Sequence, residues 1–255
     1  MYAVGSAGYY NDHLLANGGT YLAQPVPPFT WNLAQMRRAP LLEPKVIVAR
    51  KAADRLSLTS SAWDAVPCEE LGPRSLGSPA PQWSSHVKVA YDAAALYIRF
   101  EGRLPEDWTP PPARSDDNRL LDEESFGVVL APDNNPARYF RFAGGPDGAA
   151  RYDARHGFIE DPIDPRFDRD DVSWNAEWHY ACTVADDATC WSALFAIPFT
   201  SLGTGDPAAG TEWKVNFDRV HRARPSMPRE QSLWSSNPGT TSIGDRKAFG
   251  TLRFQ

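Results

Sequence analysis

Cysteine is scarce. The 255-residue chain has three, Cys68, Cys182 and Cys190, and no Cys-x-x-Cys pair, so no zinc ribbon or dithiol redox motif is encoded. No apolar run approaches the roughly 18–20 residues of a membrane-crossing helix, which speaks against membrane insertion. The N-terminus, Met1-Tyr2-Ala3-Val4-Gly5, has no basic stretch leading into an apolar one. No export signal is therefore visible, and the compartment is left open. Positive charge is also in deficit, with 26 Lys plus Arg against 32 Asp plus Glu, a net charge of −6. Such a surface is poorly suited to displacing phosphate counterions, which argues against nucleic acid as a partner. The chain has no P-loop, Gly-x-Gly-x-x-Gly or Gly-x-Ser-x-Gly fingerprint. His13, His86, His156, His179 and His221 lack metal-ligand spacing.

What the chain does have is proline, glycine and aromatics. Its 23 prolines and 18 glycines break helix interiors and exclude a helical bundle. Twelve Phe, nine Tyr and nine Trp suit pleated, half-buried surfaces instead. A hydrophobic fraction of 42% is enough for a sizeable core.

Residues 1–44 read as an irregular N-terminal extension, with Gly18-Gly19, the cluster Pro25-Val26-Pro27-Pro28 and a short helical turn over Asn32–Arg38. Residues 45–255 read as one domain with the two-residue rhythm of strands. Val87, Val89 and Tyr91 share a face, as do Leu96, Ile98 and Phe100 across a turn, which predicts a hairpin. Phe126, Val128 and Leu130 are in phase, as are Phe140 with Phe142, and Trp213, Val215 and Phe217. A second hairpin turns at Asp186-Asp187, with Trp191, Ala193, Phe195 and Ile197 as its inward row and Pro198 ending the ladder. In the last strand Phe249 and Leu252 fall out of phase across Gly250, which predicts a bulge. The fold class is all-β, a two-sheet antiparallel β-sandwich of jelly-roll-like form. Its longest irregular stretches, 102–119 and 154–173, are expected as loops near a rim.

Cys182 and Cys190 flank the second hairpin's turn. An even-length loop sets Cys182 opposite Trp191 and turns Cys190 to the other face, whereas an odd loop or bulge brings the thiols together; a disulfide stays open at this stage.

Several segments resemble family 9 carbohydrate-binding modules. Trp63-Asp64-Ala65 resembles that family's opening motif, and Val87-Lys88-Val89-Ala90-Tyr91-Asp92 with Leu96-Tyr97-Ile98 its hairpin. Tyr139-Phe140-Arg141-Phe142 followed by Gly148 and Asp153, then Ala196-Ile197-Pro198-Phe199 with Leu202, resemble two further stretches. Trp213-Lys214-Val215-Asn216-Phe217-Asp218-Arg219, and Trp234 followed by Phe249-Gly250-Thr251-Leu252, resemble the closing ones. The resemblance implies a non-catalytic β-sandwich that takes a carbohydrate ligand, in a family usually found outside the cytoplasm and with some calcium-binding members. It also implies a clamp of two tryptophans around a terminal sugar, and here those places read Leu121 and the neighbourhood of Ile243. The family's strand glutamate reads Gly127, its leading aspartate Glu124, and the glutamate before Ala196-Ile197-Pro198 reads Leu194. Only Arg141 matches a polar sugar contact, so the resemblance implies a clamp that is lost or rebuilt from other residues.

The candidate carbohydrate-binding residues are therefore Arg141, Trp108, Trp234, Leu121 and Ile243. Trp108, among prolines and acids, is the replacement stacking platform if its loop leaves it open, and a core anchor if the loop tucks inward. Trp63, Trp191, Trp213 and Trp234 fall on core-like positions, and Trp174 and Trp178 are undecided. Asp161, Asp164, Asp168, Asp170 and Asp171 form an acidic loop that is a candidate calcium site, with a solvated turn as the default; no other cofactor is expected. Asp116, Asp117, Asp122, Glu123 and Glu124 form a second acidic cluster, with Arg114 and Arg119 as partners. Arg219, Arg222, Arg224 and Arg229 surround Met227, which gives an anion site or a balancing basic loop; haem ligation by Met227 lacks a second ligand. Three readings follow. The first is non-catalytic saccharide recognition. The second is a structural or protein-interaction sandwich with an apolar patch near Leu121, Leu194 and Ile243. The third is a glycoside-active enzyme, which requires two converging carboxylates.

Overall fold

The computed structural model describes residues 44–75, 78–104, 108, 118–148, 150–221 and 229–255. The expected turn at Asn32–Arg38, the ion partners Arg114, Asp116 and Asp117, and the Arg222–Met227 stretch lie outside these residues.

The period-two rows become strands. In chain order they are β1 (Val46–Lys51), β2 (Glu69–Glu70), β3 (Gly72–Pro73), β4 (Ser85–Tyr91), β5 (Ala95–Arg103), β6 (Ser125–Ala131) and β7 (Tyr139–Gly144). Then follow β8 (Arg151–His156), β9 (Asp170–Asp171), β10 (His179–Val184), β11 (Cys190–Pro198), β12 (Glu212–His221), β13 (Glu230–Leu233) and β14 (Gly250–Phe254). The described helical turns are all short 3-10 segments, as the proline and glycine content requires.

One layer runs β10-β11-β5-β4 and the other β14-β12-β6-β7-β8-β9. The layers are joined by β1, whose Val46–Ala49 half pairs with β14 and whose Arg50–Lys51 end pairs with β4. Both of these pairings are parallel, while every other described pairing is antiparallel, so the sheet is mixed and curls over itself at β1. That strand covers an edge of each layer that would otherwise present unpaired backbone.

The facing rows meet as the alternation predicts. Val87, Val89, Ile98, Phe100 and the Trp191–Ile197 row come from one layer, and Phe126, Val128, Leu130, Phe142, Val215 and Phe217 from the other. Phe126 crosses the gap, its ring 4.7 Å from Phe100 and 4.4 Å from Trp191. Each such ring taken from water contributes roughly 1.5–3 kcal/mol. Trp191, Trp213 and Trp234 are buried in this core, Trp178 joins them and Trp174 packs half-buried against it, while Trp63 is buried in a separate cluster with Leu56 and Tyr97.

Two local expectations are corrected. The phase break at Gly250 is the start of β14, not a bulge: Ala248 closes a 3-10 turn and Phe249 faces a separate outer cluster. Glycine is needed there because a Cβ would enter the ring of Trp234. In the β10–β11 hairpin, Val184 is opposite Trp191 and Cys182 is opposite Ala193, so the turn is longer than the sequence reading allowed. Its even count still sends Cys182 and Cys190 to opposite faces, and all three thiols are free.

Candidate functional site

The outer face of the β12-β6-β7-β8 layer gathers the polar side chains that the core excludes. In register across it lie Asp218, Gly127, Ala143 and Tyr152, and beside them Asn216, Val129, Arg141 and Ala154. Gly127, Ala143 and Ala154 make a low floor on which Asp218, Arg141 and Tyr152 stand. Gly127 is required for this arrangement, because a Cβ there would strike Oδ1 of Asp218.

The polar groups form two hydrogen-bonded chains around this floor. Arg229 donates from Nη2 to Oε1 of Gln231 at 3.3 Å, and Gln231 donates from Nε2 to Oδ2 of Asp218 at 2.8 Å. On the other side Arg141 Nη1 donates to Oδ2 of Asp170 at 3.1 Å, and the Tyr152 hydroxyl donates to the same oxygen at 3.2 Å. His156 Nδ1 lies 3.1 Å from Asp170 Oδ1, and its ring lies flat on Tyr139 at 4.6 Å.

The electrostatics separate the two acids. Burial pushes the Asp170 carboxyl upward, but the His156 hydrogen bond and the Arg141 charge outweigh it and hold the group below the usual range. Asp218 is held above the usual range by burial, which Arg141 and Gln231 only partly offset. Burial likewise raises the phenols of Tyr139 and Tyr152, reinforced by the nearby Asp170 charge. The face thus offers a guanidinium 20% and a carboxylate 21% open to solvent, backed by a buried carboxylate, a carboxamide and two phenols. Such planar donors and acceptors suit a belt of hydroxyl groups.

Of the residues expected from sequence, Arg141 sits at the centre of this face. Leu121, half-buried, packs with Ala143, Tyr152 and Ala154 at one end, and Ile243 packs with Val129, Ala131 and Tyr139 at the other. Trp108 and Trp234 do not join them. Both belong to the inter-sheet core, with Trp108 8% and Trp234 1% exposed, so neither ring presents a face to a ligand. The expectation of a shared apolar patch is overturned as well: Leu121, Leu194 and Ile243 lie in three separate clusters, with Leu194 and Ile243 buried. Asp218, Gln231 and Asp170 stand on this face with Arg141, although the sequence does not single them out for it. The polar alternation of Asn216 and Asp218 on β12 was a visible signal, but its registration over Gly127 was not.

The acidic loop does not converge on one point. Asp161 accepts from the backbone of Ile163, Asp164 pairs with Arg166, Asp171 with Arg155, and Asp170 with Arg141. Among the described residues no group of three or more His, Cys, Asp or Glu is arranged to hold a metal ion. Glu124 is a structural anchor at one end of the sandwich: it accepts from Arg219 Nε at 2.8 Å and from the Trp191 indole at 3.1 Å, and it contacts His221.

No family model and no curated protein matches the sequence. Solved structures do match the fold. A family 9 carbohydrate-binding module from Caldicellulosiruptor kristjanssonii, in complex with cellotriose, superposes with a TM-score of 0.57 at 15% identity, covering 83% of this chain and 94% of that one. The chain has the fold of family 9 carbohydrate-binding modules. A structure of such a module from the same organism with glucose gives a TM-score of 0.56 at 13% identity, over 83% of this chain and 96% of the other. A protein from Bacteroides uniformis ATCC 8492, assigned a carbohydrate-binding role, gives 0.63 at 13% identity over 84% of this chain and 100% of its own.

Proposed function

We propose that this family 9-like sandwich recognises a saccharide without transforming it, on the outer face centred on Arg141. The observation that carries the reading is Asp218. A carboxylate 4% exposed and held above its usual protonation range costs stability, and such groups concentrate where a ligand is handled. Sugar hydroxyls meet this face at the Arg141 guanidinium and the Asp170 carboxylate, whose side chains are about one-fifth open, with the buried Asp218 behind them. The fold likeness to modules crystallised with cellotriose and glucose supports the same ligand class. Recognition here is led by polar contacts, with the half-buried Leu121 as an apolar flank at one end.

Each carboxylate on the face is already engaged, Asp170 by Arg141, Tyr152 and His156 and Asp218 by Gln231, which supports binding over catalysis. The test is isothermal calorimetry and affinity electrophoresis against neutral oligosaccharides and soluble glucans. Wild type is expected to bind with modest affinity, and Arg141→Ala to weaken binding at least about tenfold. Equal affinity in wild type and Arg141→Ala would sink the assignment of the site, and turnover of a glycoside would sink the non-catalytic reading.

A further inference from the structure

Trp83 differs from the other described tryptophans in belonging to no core cluster and packing against none. The indoles of Trp63, Trp178, Trp191 and Trp234 each donate a hydrogen bond, to Ser57, Asp153, Glu124 and Glu69, while Trp108, Trp174 and Trp213 are held by apolar packing. Trp83 is half-exposed, lies outside every core cluster, and its indole N–H has no acceptor among the described residues. It stands just before β4, after the stretch Pro79-Ala80-Pro81-Gln82 that stiffens its approach. Behind it the His221 ring packs at 6.0 Å, and His221 is itself tied to Glu124. The indole therefore rests on a fixed, buried ion network at the end of the sandwich.

Two cavities open on this indole, of about 490 and 670 Å³, and they share Trp83, Ser84 and Arg103 as a common wall. Both volumes lie in the range of small-molecule sites, roughly 300–1,000 Å³. The first adds Lys45, Glu70 and Gln82, and the second adds His86 and Glu101. Cationic and anionic groups alternate around the indole without one sign prevailing, which disfavours phosphate or a polyanion and suits a neutral ligand rich in hydroxyls. Among the described residues Arg103 makes no ion pair and is exposed, and Glu101, 3.6 Å from Arg99 Nη2, keeps half of its side chain open. A half-open indole over planar polar groups matches the chemistry of a pyranose, with a CH face to stack and hydroxyls at its edge.

We propose that this rim is a second saccharide site, separate from the outer-face site: a neutral pyranose stacks on Trp83, accepts a hydrogen bond from the Arg103 guanidinium and donates one from a hydroxyl to the Glu101 carboxylate. It uses none of Arg141, Asp170 or Asp218, so it stands or falls without the Arg141 site.

The test is heteronuclear NMR on the full chain labelled at the tryptophan indole nitrogen, with cellotriose, xylotriose and mannotriose as probes at millimolar concentration. The Trp83 resonance is the one missing from Trp83→Phe, a variant that retains an aromatic support for folding. At least one trisaccharide is expected to move that resonance, equally in wild type and in Arg141→Ala. Arg103→Ala, which truncates an exposed side chain, is expected to weaken the response about tenfold while leaving the unliganded spectrum intact. A Trp83 resonance unmoved by all three probes would overturn the rim site. So would a response that disappears in Arg141→Ala, since that would assign the effect to the outer face. A response that persists in Arg141→Ala while calorimetry detects no outer-face binding would support the rim and refute the other site.

Discussion

Arg219 donates from Nε to Oε1 of Glu124 at 2.8 Å, with the two side chains 1% and 2% exposed. The arginine also donates to the Ser85 hydroxyl at 3.0 Å and to the Arg103 carbonyl at 2.5 Å. One buried guanidinium therefore ties β12 to β4 and β5 across the end of the sandwich. Gly102 makes room for it, since a Cβ there would approach the Arg219 Nη1 to 2.8 Å. Removing the glutamate charge leaves this cation buried and uncompensated. Glu124→Gln is expected to lower unfolding free energy by about 3–5 kcal/mol, read from urea denaturation. A loss below about 1 kcal/mol would show that the pair is not the anchor described.

Glu124 also sets an acid limit. Burial pushes its carboxyl up, but Arg219 and His221 outweigh burial and hold it below the usual range. The folded state therefore binds fewer protons than the unfolded one as the pH falls below the ordinary glutamate value of about 4.3. The stability this group contributes is present above that value and is lost as pH falls through the lower folded value. Thermal melts of wild type from pH 6 downward should show a steep acid decline that is blunted in Glu124→Gln. Parallel declines in the two proteins would contradict this account.

Asp218 carries the opposite sign. Its carboxyl is raised by burial, so the folded state keeps a proton that the unfolded state has already released. Stability falls as pH rises from the ordinary aspartate value, about 3.9, through the raised folded value. Asp218→Asn, which keeps the shape and the Gln231 neighbour, is expected to raise Tm by about 2 °C at neutral pH, the response to somewhat under 1 kcal/mol. The gain should vanish in acid, while saccharide binding at neutral pH is lost. A Tm that drops at neutral pH would mean that the charge is a structural asset.

Gly127 is the steric complement of Asp218. In Gly127→Ala the new methyl meets the buried carboxylate, and overpacking of this kind costs about 1–3 kcal/mol. Saccharide affinity should fall with it, and the double variant Gly127→Ala/Asp218→Gly should recover most of the stability. No recovery in the double variant would place the strain elsewhere.

The cysteines give a simple chemical check. Cys68, Cys182 and Cys190 are all free, with Cys182 half-buried and donating to the Pro146 carbonyl at 3.4 Å. Alkylation after unfolding without reductant, read by mass spectrometry, should count three thiols. A count of one would show that Cys182 and Cys190 are joined and that the β10–β11 register is different.

The alternation of Val87-Val89-Tyr91, Leu96-Ile98-Phe100 and Trp191–Ile197 already determines strands, their inward faces and their hairpins, because side-chain direction in a strand depends only on residue parity. The family-like segments pointed to the same sandwich, since they are mostly core and turn positions such as Trp213, Val215 and Phe217. Binding geometry was not determined by parity. Trp108 reads in sequence as either open or tucked, with the tucked loop the default, and the packing of the two layers puts it inside. The parallel course of β1 depends on pairing its two halves with strands some forty and two hundred residues away, which no local pattern encodes. Likewise Asp218 comes to stand over Gly127 only through the β12–β6 register, and Arg141 meets Asp170 only when the chain folds back through β9. Local periodicity is a property of neighbouring residues, whereas a site depends on contacts between distant ones, and the tertiary structure decides those.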